Sequence, residues 1–280
     1  MTKHFLKFGK KTYIMGILNV TPDSFSDGNR FFSLENAVSH AVKMEKDGAD
    51  IIDIGGESTR PGAKGVSKAE EIKRIIPIIE ELVDKISIPI SIDTYKSEVA
   101  MKALDLGVSM VNDITALQGD KKLVNIISNY DVPICLMHMK GNPRNMQKNP
   151  TYDDVVNEIR DFLIERAEYA MFHDIKKENI ILDPGLGFGK RTGRGVEDNC
   201  EILNRLKDLK SLGFPILVGP SRKTFIGNIC GKNQQLPVSN RLEGSLAAAC
   251  AAVMNGADII RVHDVKETRR CVDLIECISR

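Results

Sequence analysis

The chain has 280 residues, 42% hydrophobic and 28% charged, with 39 basic against 38 acidic side chains and a net charge of +1. That balance is ordinary for a soluble globular protein and leaves no overall field to draw it to nucleic acid or a membrane surface, so a basic site has to be local. No window approaches ~18 consecutive apolar residues, and the N-terminal MTKHFLKFGKK holds no apolar run of ~7–15 residues such as a secretory signal needs.

Six scattered cysteines without a CxxC pair complete the expectation of a cytoplasmic protein with reduced thiols, one domain over residues 1–280, and no membrane or nucleic-acid partner. In chain order, the first strand is predicted over Tyr13–Leu18. It runs into a polar stretch, from Asn19 to a helix cap at Ser33, that holds Thr21, Asp23, Ser24, Ser26 and Asp27 around Phe25. Strand-to-helix turns take about 2–6 residues, so this longer one reads as a binding loop. Amphipathic spacing predicts a helix over Ala37–Lys46, closed by Gly48. A strand over Ile51–Ile54 leads into a second long loop, GGESTRPG. Ser67-Lys-Ala-Glu70 then has the capping-box pattern of a helix over Glu70–Val83. Strands follow over Pro89–Ile92, Met110–Asn112 and Pro133–Met137, with a helix-closing glycine at Gly107. Next come a helix over Tyr152–Phe172, a strand over Ile180–Leu182, and the glycine- and arginine-rich tract Lys190–Glu197, read as a mobile loop. The remaining elements are a helix over Glu201–Leu212 closed by Gly213, a strand over Ile216–Val218, and a helix over Leu242–Met254 closed by Gly256. A strand over Ile259–Val262 and a helix over Val265–Ile278 end the series.

These strands are nearly continuous apolar runs, as parallel strands covered on both faces are. Eight strand–helix units in this length argue for an α/β fold, a single (β/α)8 TIM barrel with a parallel eight-stranded core and long βα loops 1 and 2. An open doubly wound sheet is the alternative, but its usual GxGxxG turn is missing, Gly16 being followed by Ile17 and Leu18.

In a barrel, function gathers at the C-terminal ends of the strands, and here nearly every strand ends on a polar or ionisable residue. Helix capping accounts for Asp113 and Asp264 alone, but not for Arg60, Lys223, Arg261 and His263. Two chemical groups emerge. Asp93, Asn112, Asp183 and Lys223 suit a flat heterocycle, because a carboxylate takes two parallel N–H donors as it takes a guanidinium. Asn offers a donor and an acceptor to one ring, and Lys donates to a ring nitrogen or carbonyl. A structural Asp183–Lys223 ion pair and a Schiff-base lysine are the competing readings. Asn19, Thr59, Arg60, Arg261 and His263, from strands 1, 2 and 8, gather positive charge that a bound anion would relieve. Arg suits bidentate phosphate contact, and Asn19 with nearby loop acids could hold a Mg²⁺ shared with phosphate oxygens. A buried, satisfied histidine is the plainer reading of His263. The expected ligand carries a flat polar bicycle at one end and a phosphate ester at the other.

MGILNVTPDSFSDG, DIGGESTRPGA, ISIDT, VNDI, LMHMKGNP, DPGLGFGK, GPSRKTFIG and RVHD, in this order from residue 15 to 264, resemble the motifs of the dihydropteroate synthase family of pterin-binding barrels. The resemblance covers essentially the whole chain, and its first two motifs are highly specific. It implies a transferase that condenses 6-hydroxymethyl-7,8-dihydropterin diphosphate with 4-aminobenzoate, giving 7,8-dihydropteroate and pyrophosphate in folate biosynthesis, and that is a sulfonamide target. It assigns Asp93, Asn112, Asp183 and Lys223 to the pterin pocket, with Met137 beneath the ring. Asn19, Thr59, Arg60, Arg261 and His263 are assigned to the diphosphate, with Asn19 as the ligand to a Mg²⁺ cofactor. Phe25, Asp27, Pro61, Phe188 and Ser221 are assigned to closing over 4-aminobenzoate, whose carboxylate would meet the N–H groups opening the helix after strand 7. The implied mechanism is dissociative displacement. Arg60, Arg261, His263 and Mg²⁺ stabilise the departing pyrophosphate, Asp27 stabilises the cationic pterin, and Lys223 joins them in the catalytic set. A homodimer is also implied, and the small-residue helix GSLAAACAAVMNGA (244–257) suits either a partner or the barrel's own helix layer. The chain departs from the family after GFGK, where KRTGRGVEDN is longer by several residues than usual.

Two rivals stand beside this reading. A methyltetrahydrofolate:corrinoid methyltransferase shares the barrel and the pterin-binding acids, but has no leaving diphosphate for Arg60, Arg261 and His263 to neutralise. A non-catalytic pterin-binding paralogue has no physical need of intact loop motifs.

Overall fold

Tyr13–Asn19, Ile51–Gly55, Ile90–Asp93, Met110–Asp113, Ile134–Met137, Ile180–Asp183, Leu217–Val218 and Ile259–Val262 form strands β1 to β8. They are seen in a computed structural model that describes residues 6–20, 30–58, 62–63, 65–193, 195–232 and 234–279. The strands pair in the order β6-β5-β4-β3-β2-β1-β8-β7, and every pair is parallel. A parallel bridge between Leu182 and Ile216, with Leu182 N–H donating to Pro215 O at 2.9 Å, joins the two ends. The sheet closes on itself as the predicted (β/α)8 barrel.

The helices are α1 Arg30–Lys46, α2 Lys68–Leu82, α3 Ser97–Asp105, α4 Leu123–Tyr130, α5 Val155–Phe172, α6 Asp198–Asn204, α7 Leu206–Lys210, α8 Thr224–Cys230, α9 Leu242–Met254 and α10 Val265–Ser279. Helices α3, α4 and α8, of 9, 8 and 7 residues, are too short to display a long apolar repeat and come in addition to those the spacing predicts. The helix expected over Glu201–Leu212 is two helices, broken at Arg205, whose guanidinium ties together Asp154, Glu201 and Asp208. Helix α1 starts at Arg30, ahead of the expected cap at Ser33. Helix α5 starts at Val155, where Asp154 Oδ1 accepts the Val156 and Asn157 N–H groups, and not at Tyr152. Ser67 caps α2 as its pattern predicts, Oγ accepting Glu70 N–H at 3.2 Å. Gly48, Gly107, Gly213 and Gly256 all take positive φ, from 77° to 104°, where a helix has to end before the next strand.

Period-2 alternation builds the site. Outward-facing strand residues such as Ile52, Ile92, Val111 and Leu182 pack under the helices. A separate apolar plug of Tyr13, Met15, Ile51, Met110, Cys135, Ile181, Leu217 and Ile259 fills the barrel. Two residues beyond the plug, on the same faces, come Asp53, Asn112, Met137, Asp183, Gly219 and Arg261, and Asp93 follows buried Ser91 in the same way. A polar layer therefore lies directly on an apolar floor at the C-terminal mouth.

Candidate active site

Strand register brings the polar layer together. Gly55 is paired with Asp93, Asp93 with Asn112, and Met137 with Asp183. Asp93, Asn112, Met137, Asp183, Phe188, Lys223 and Arg261 all line one pocket, with Ile114 in its wall. All four residues of the predicted ring-binding group are thus brought to one cavity. Beside it, a second cavity of about 400 Å³ shares Asp93, Ile114 and Met137 and is walled by the loops after β2 and β5. Those loops touch, Gly62 N–H donating to Pro143 O at 3.2 Å.

Arg261 is the cation at the centre of the layer. Its Nε donates to Asp53 Oδ2 at 2.6 Å and its Nη2 to Asp93 Oδ2 at 2.8 Å. Asn112 Nδ2 donates to the same Asp53 oxygen at 3.0 Å. Asp53 is fully buried and its Oδ1 has no hydrogen-bond partner. Sequence reasoning missed it by looking only at strand ends, although an acid inside the apolar run Ile-Ile-Asp-Ile was the available signal. Arg261 is therefore held between two acids of this layer. Burial opposes its charge, but Asp53 and Asp93 override that and raise its pKa.

The other charges are tuned by the same enclosure. Burial pushes Asp183 up to about 6, against the Gly185 N–H on its Oδ1 (2.7 Å) and the field of Lys223. Asp93 is raised by burial too; Arg261 opposes the rise and Asp53 adds to it. Lys223 is lowered to about 8 by burial, with Asp183 opposing and Arg261 reinforcing the shift. Its ammonium stands 4.4 Å from the Phe188 ring centroid. No direct ion pair joins Lys223 to Asp183 among the described residues, so that structural reading fails.

His263 follows β8, and its backbone N–H donates to Ser221 Oγ at 3.2 Å; the same oxygen lies 3.0 Å from His263 Nδ1. Burial, then Arg261 and Arg222, lowers its pKa to about 3. That lowering favours the neutral imidazole, which leaves Arg261 as the main source of positive charge here. Arg222 is committed to Asp264 at 2.5 and 3.1 Å, and Asp113 caps the turn after β4 through Thr115 and Leu117 N–H. Asn19 lies in register with Gly55. A Cβ on Gly55 would stand 3.7 Å from Asn19 Oδ1 and 3.5 Å from Asp93 Cβ, so the amide and the carboxylate border the same stretch of bare backbone. No group of three His, Cys, Asp or Glu among the described residues could hold a metal. Phe25, Asp27, Thr59, Arg60 and Pro61 lie outside the described residues.

Two further buried cations escaped the sequence reading. Lys96, just before α3, contacts both Glu57 of the β2–α2 loop and buried Glu71 of α2. Lys190 is enclosed behind the β6–α6 loop. Past Lys190, the tract expected to be mobile is clasped at its base: Arg191 pairs with Asp198 at 2.9 Å, and Glu197 accepts from Thr192 Oγ1 and Gly193 N–H.

Comparison with known proteins agrees with this geometry. Residues 15–263 match the family described as Pterin binding enzyme. A dihydropteroate synthase from Synechocystis sp. is 47% identical over 273 residues, covering 98% of this chain and 92% of that one. A solved dihydropteroate synthase from Clostridium difficile, obtained in the presence of pteroic acid, superposes with a TM-score of 0.91 at 48% identity, covering 99% of this chain and all of that one. The Xanthomonas albilineans enzyme with 4-aminobenzoic acid gives 0.88 at 42% identity, covering 96% and 93%. With the polar layer, the closed barrel and these likenesses in agreement, the chain belongs to the pterin-binding enzymes and, among them, to the dihydropteroate synthase family of transferases.

Proposed function

We propose that the enzyme joins 6-hydroxymethyl-7,8-dihydropterin diphosphate to 4-aminobenzoate, releasing pyrophosphate and 7,8-dihydropteroate for folate biosynthesis. The observation that carries this reading is the polar layer itself: two acids, an amide and a lysine converge on one pocket above an apolar floor. The amino-pyrimidine edge of a pterin presents adjacent N–H donors that Asp183 and Asp93 accept. Asn112 both donates and accepts, Lys223 donates to a ring nitrogen or carbonyl, and Met137 packs beneath the ring.

The carbon–oxygen bond to the diphosphate breaks first, and the aniline nitrogen then attacks the exocyclic methylene of the pterin cation left behind. Pyrophosphate leaves with the bonding pair, and the anilinium proton passes to water. Arg261, kept charged by Asp53, neutralises the departing oxygens, with His263 as a neutral hydrogen-bonding partner and Thr59 and Arg60 from the second loop. One such donor is worth ~2.7–4 kcal/mol in the transition state. Asp27 stabilises the cationic pterin, while Phe25, Pro61, Phe188 and Ser221 enclose 4-aminobenzoate, the place where sulfonamides would compete. Asn19 Oδ1, at the same bare backbone as Asp93, is a hard oxygen donor of the kind that would hold a Mg²⁺. When bound, that ion supplies further charge neutralisation to the leaving group.

A cytoplasmic site of action and a homodimer belong to the same proposal. All six cysteines are free thiols, and no described helix is long and apolar enough to cross a membrane. Met254 of α9 and Leu274 and Ile278 of α10 are exposed on two helices packed together, an apolar face suited to a second copy; sedimentation velocity tests it. Pyrophosphate release that requires both substrates and Mg²⁺ tests the reaction. A corrinoid methyltransferase or a non-catalytic paralogue would release none.

A further inference from the structure

Lys190 has no part in the chemistry above, yet it is the largest fully buried side chain in the described structure. Its Nζ makes three hydrogen bonds, to Gly185 O at 3.0 Å, to Phe188 O at 2.9 Å and with His138 Nδ1 at 3.0 Å. An ammonium has three donors, so each is used. Burial, then Lys190 and Lys140, holds the His138 pKa down near 2, which favours a neutral ring whose Nδ1 is free to accept from Lys190. The loop being gripped cannot shape itself. Gly185, Gly187 and Gly189 all have positive φ, and a Cβ on Gly185 would overlap the His138 carbonyl oxygen. Two more of the loop's carbonyls are bound as well, Gly187 O by Gln147 Nε2 at 2.6 Å and Gly189 O by Tyr152 Oη at 2.5 Å.

The knot matters because of what rests on it. Lys223 runs along this loop: a Cβ on Gly187 would stand 3.3 Å from Lys223 Cδ, and the Lys223 ammonium lies over the Phe188 ring. No hydrogen bond among the described residues holds that ammonium otherwise. We propose that Lys190 is a positioning residue for the ring pocket, knotting the β6–α6 loop so that Phe188 and Lys223 are presented to the pterin. It touches no substrate and acts through its neighbours; the claim rests on the reaction proposed above.

The test is Lys190→Met, which keeps the length and packing and removes the charge and all three donors. The charged groups around Lys190 are Asp183, Asp198, Lys223 and Lys140, and those around Lys223 are Asp183, Arg261 and Asp93. With the loop loosened, kcat/KM for the pterin diphosphate falls roughly 10- to 100-fold, the scale of a misplaced reacting group. The alkaline limb of its pH profile also moves up from about 8, because a loosened loop lessens the burial that lowers Lys223; Lys190 itself, lowered to about 7 by burial, adds little charge there. Ile79→Val, an equally buried change on the inner face of α2, lowers stability without moving that limb. If Lys190→Met does not fold, Tyr152→Phe removes one loop bond and shifts the limb in the same direction by less. A limb unmoved in the folded variants, with kcat/KM within twofold of wild type, overturns the proposal. Should wild type release no pyrophosphate, the reaction is wrong, and the Lys190 role is then decided by an NMR titration of ¹³Cε-labelled Lys223 in the free protein: an unchanged Lys223 titration in Lys190→Met sinks it.

Discussion

Asp53 and Arg261, 208 positions apart in the chain, meet inside the barrel with Nε donating to Oδ2 at 2.6 Å. The same Asp53 oxygen accepts from Asn112. Asp53 thus sets the positions of two residues that line the pocket, and it does so from below the pocket rather than in it. Removing one partner of a buried ion pair costs up to about 3–5 kcal/mol where the remaining charge is left unpaired, and here Asp93 keeps part of the Arg261 charge paired.

Asp53→Ala is accordingly expected to lower unfolding free energy by about that amount and to cut kcat/KM sharply. Asp53→Asn, which keeps an acceptor for both donors, loses less. Urea denaturation read alongside steady-state kinetics checks the order; an alanine variant within 0.5 kcal/mol of wild type, about the noise of a surface substitution, would show that Asp53 anchors nothing.

Arg261→Ala separates ring binding from leaving-group departure. Asp183, Asn112 and Lys223 remain to hold a pterin, so calorimetry should still detect binding. Pyrophosphate release should drop roughly 10²–10³-fold, the scale of losing one oxyanion donor. Equal losses in binding and release would place Arg261 on the ring alone.

The pH profile follows from two buried groups. Asp183 accepts N–H donors only when ionised, so kcat/KM for the pterin rises as pH passes about 6. Lys223 donates as a cation, so the rate falls as pH passes about 8. The expected curve is a bell between those values. Lys223→Arg, which cannot lose its proton in this range, should erase the alkaline limb; persistence of that limb assigns it to another group.

Lys96 tests the support of the second loop. It sits between Glu57 and Glu71, and Glu71 Oε1 already lacks a partner. Lys96→Met leaves two carboxylates close together and unpaired, and should cost about 3–5 kcal/mol. Adding Glu71→Gln removes one of those charges and should restore part of the loss. Thermal melts of both variants decide it, and a double variant no better than the single one would rule out charge as the cause.

The sequence by itself determined the barrel and the polar character of its mouth. Alternating strands and helices, the Ser67 cap and the glycines closing helices act over a few residues, so local pattern encodes them. Asp93, Asn112, Asp183 and Lys223 were legible for the same reason, each standing at or just past a strand end. Only the tertiary structure decided who partners whom. Asp53 became visible once register put β2 one layer deeper beside β3. Arg261 joined the acids because strand alternation turns it inward above Ile259. Burial lowers the His263 pKa and so favours its neutral form, and Lys190 mattered because a loop folded over it. Register, depth and desolvation are set by contacts between distant segments, which no stretch of a few residues records.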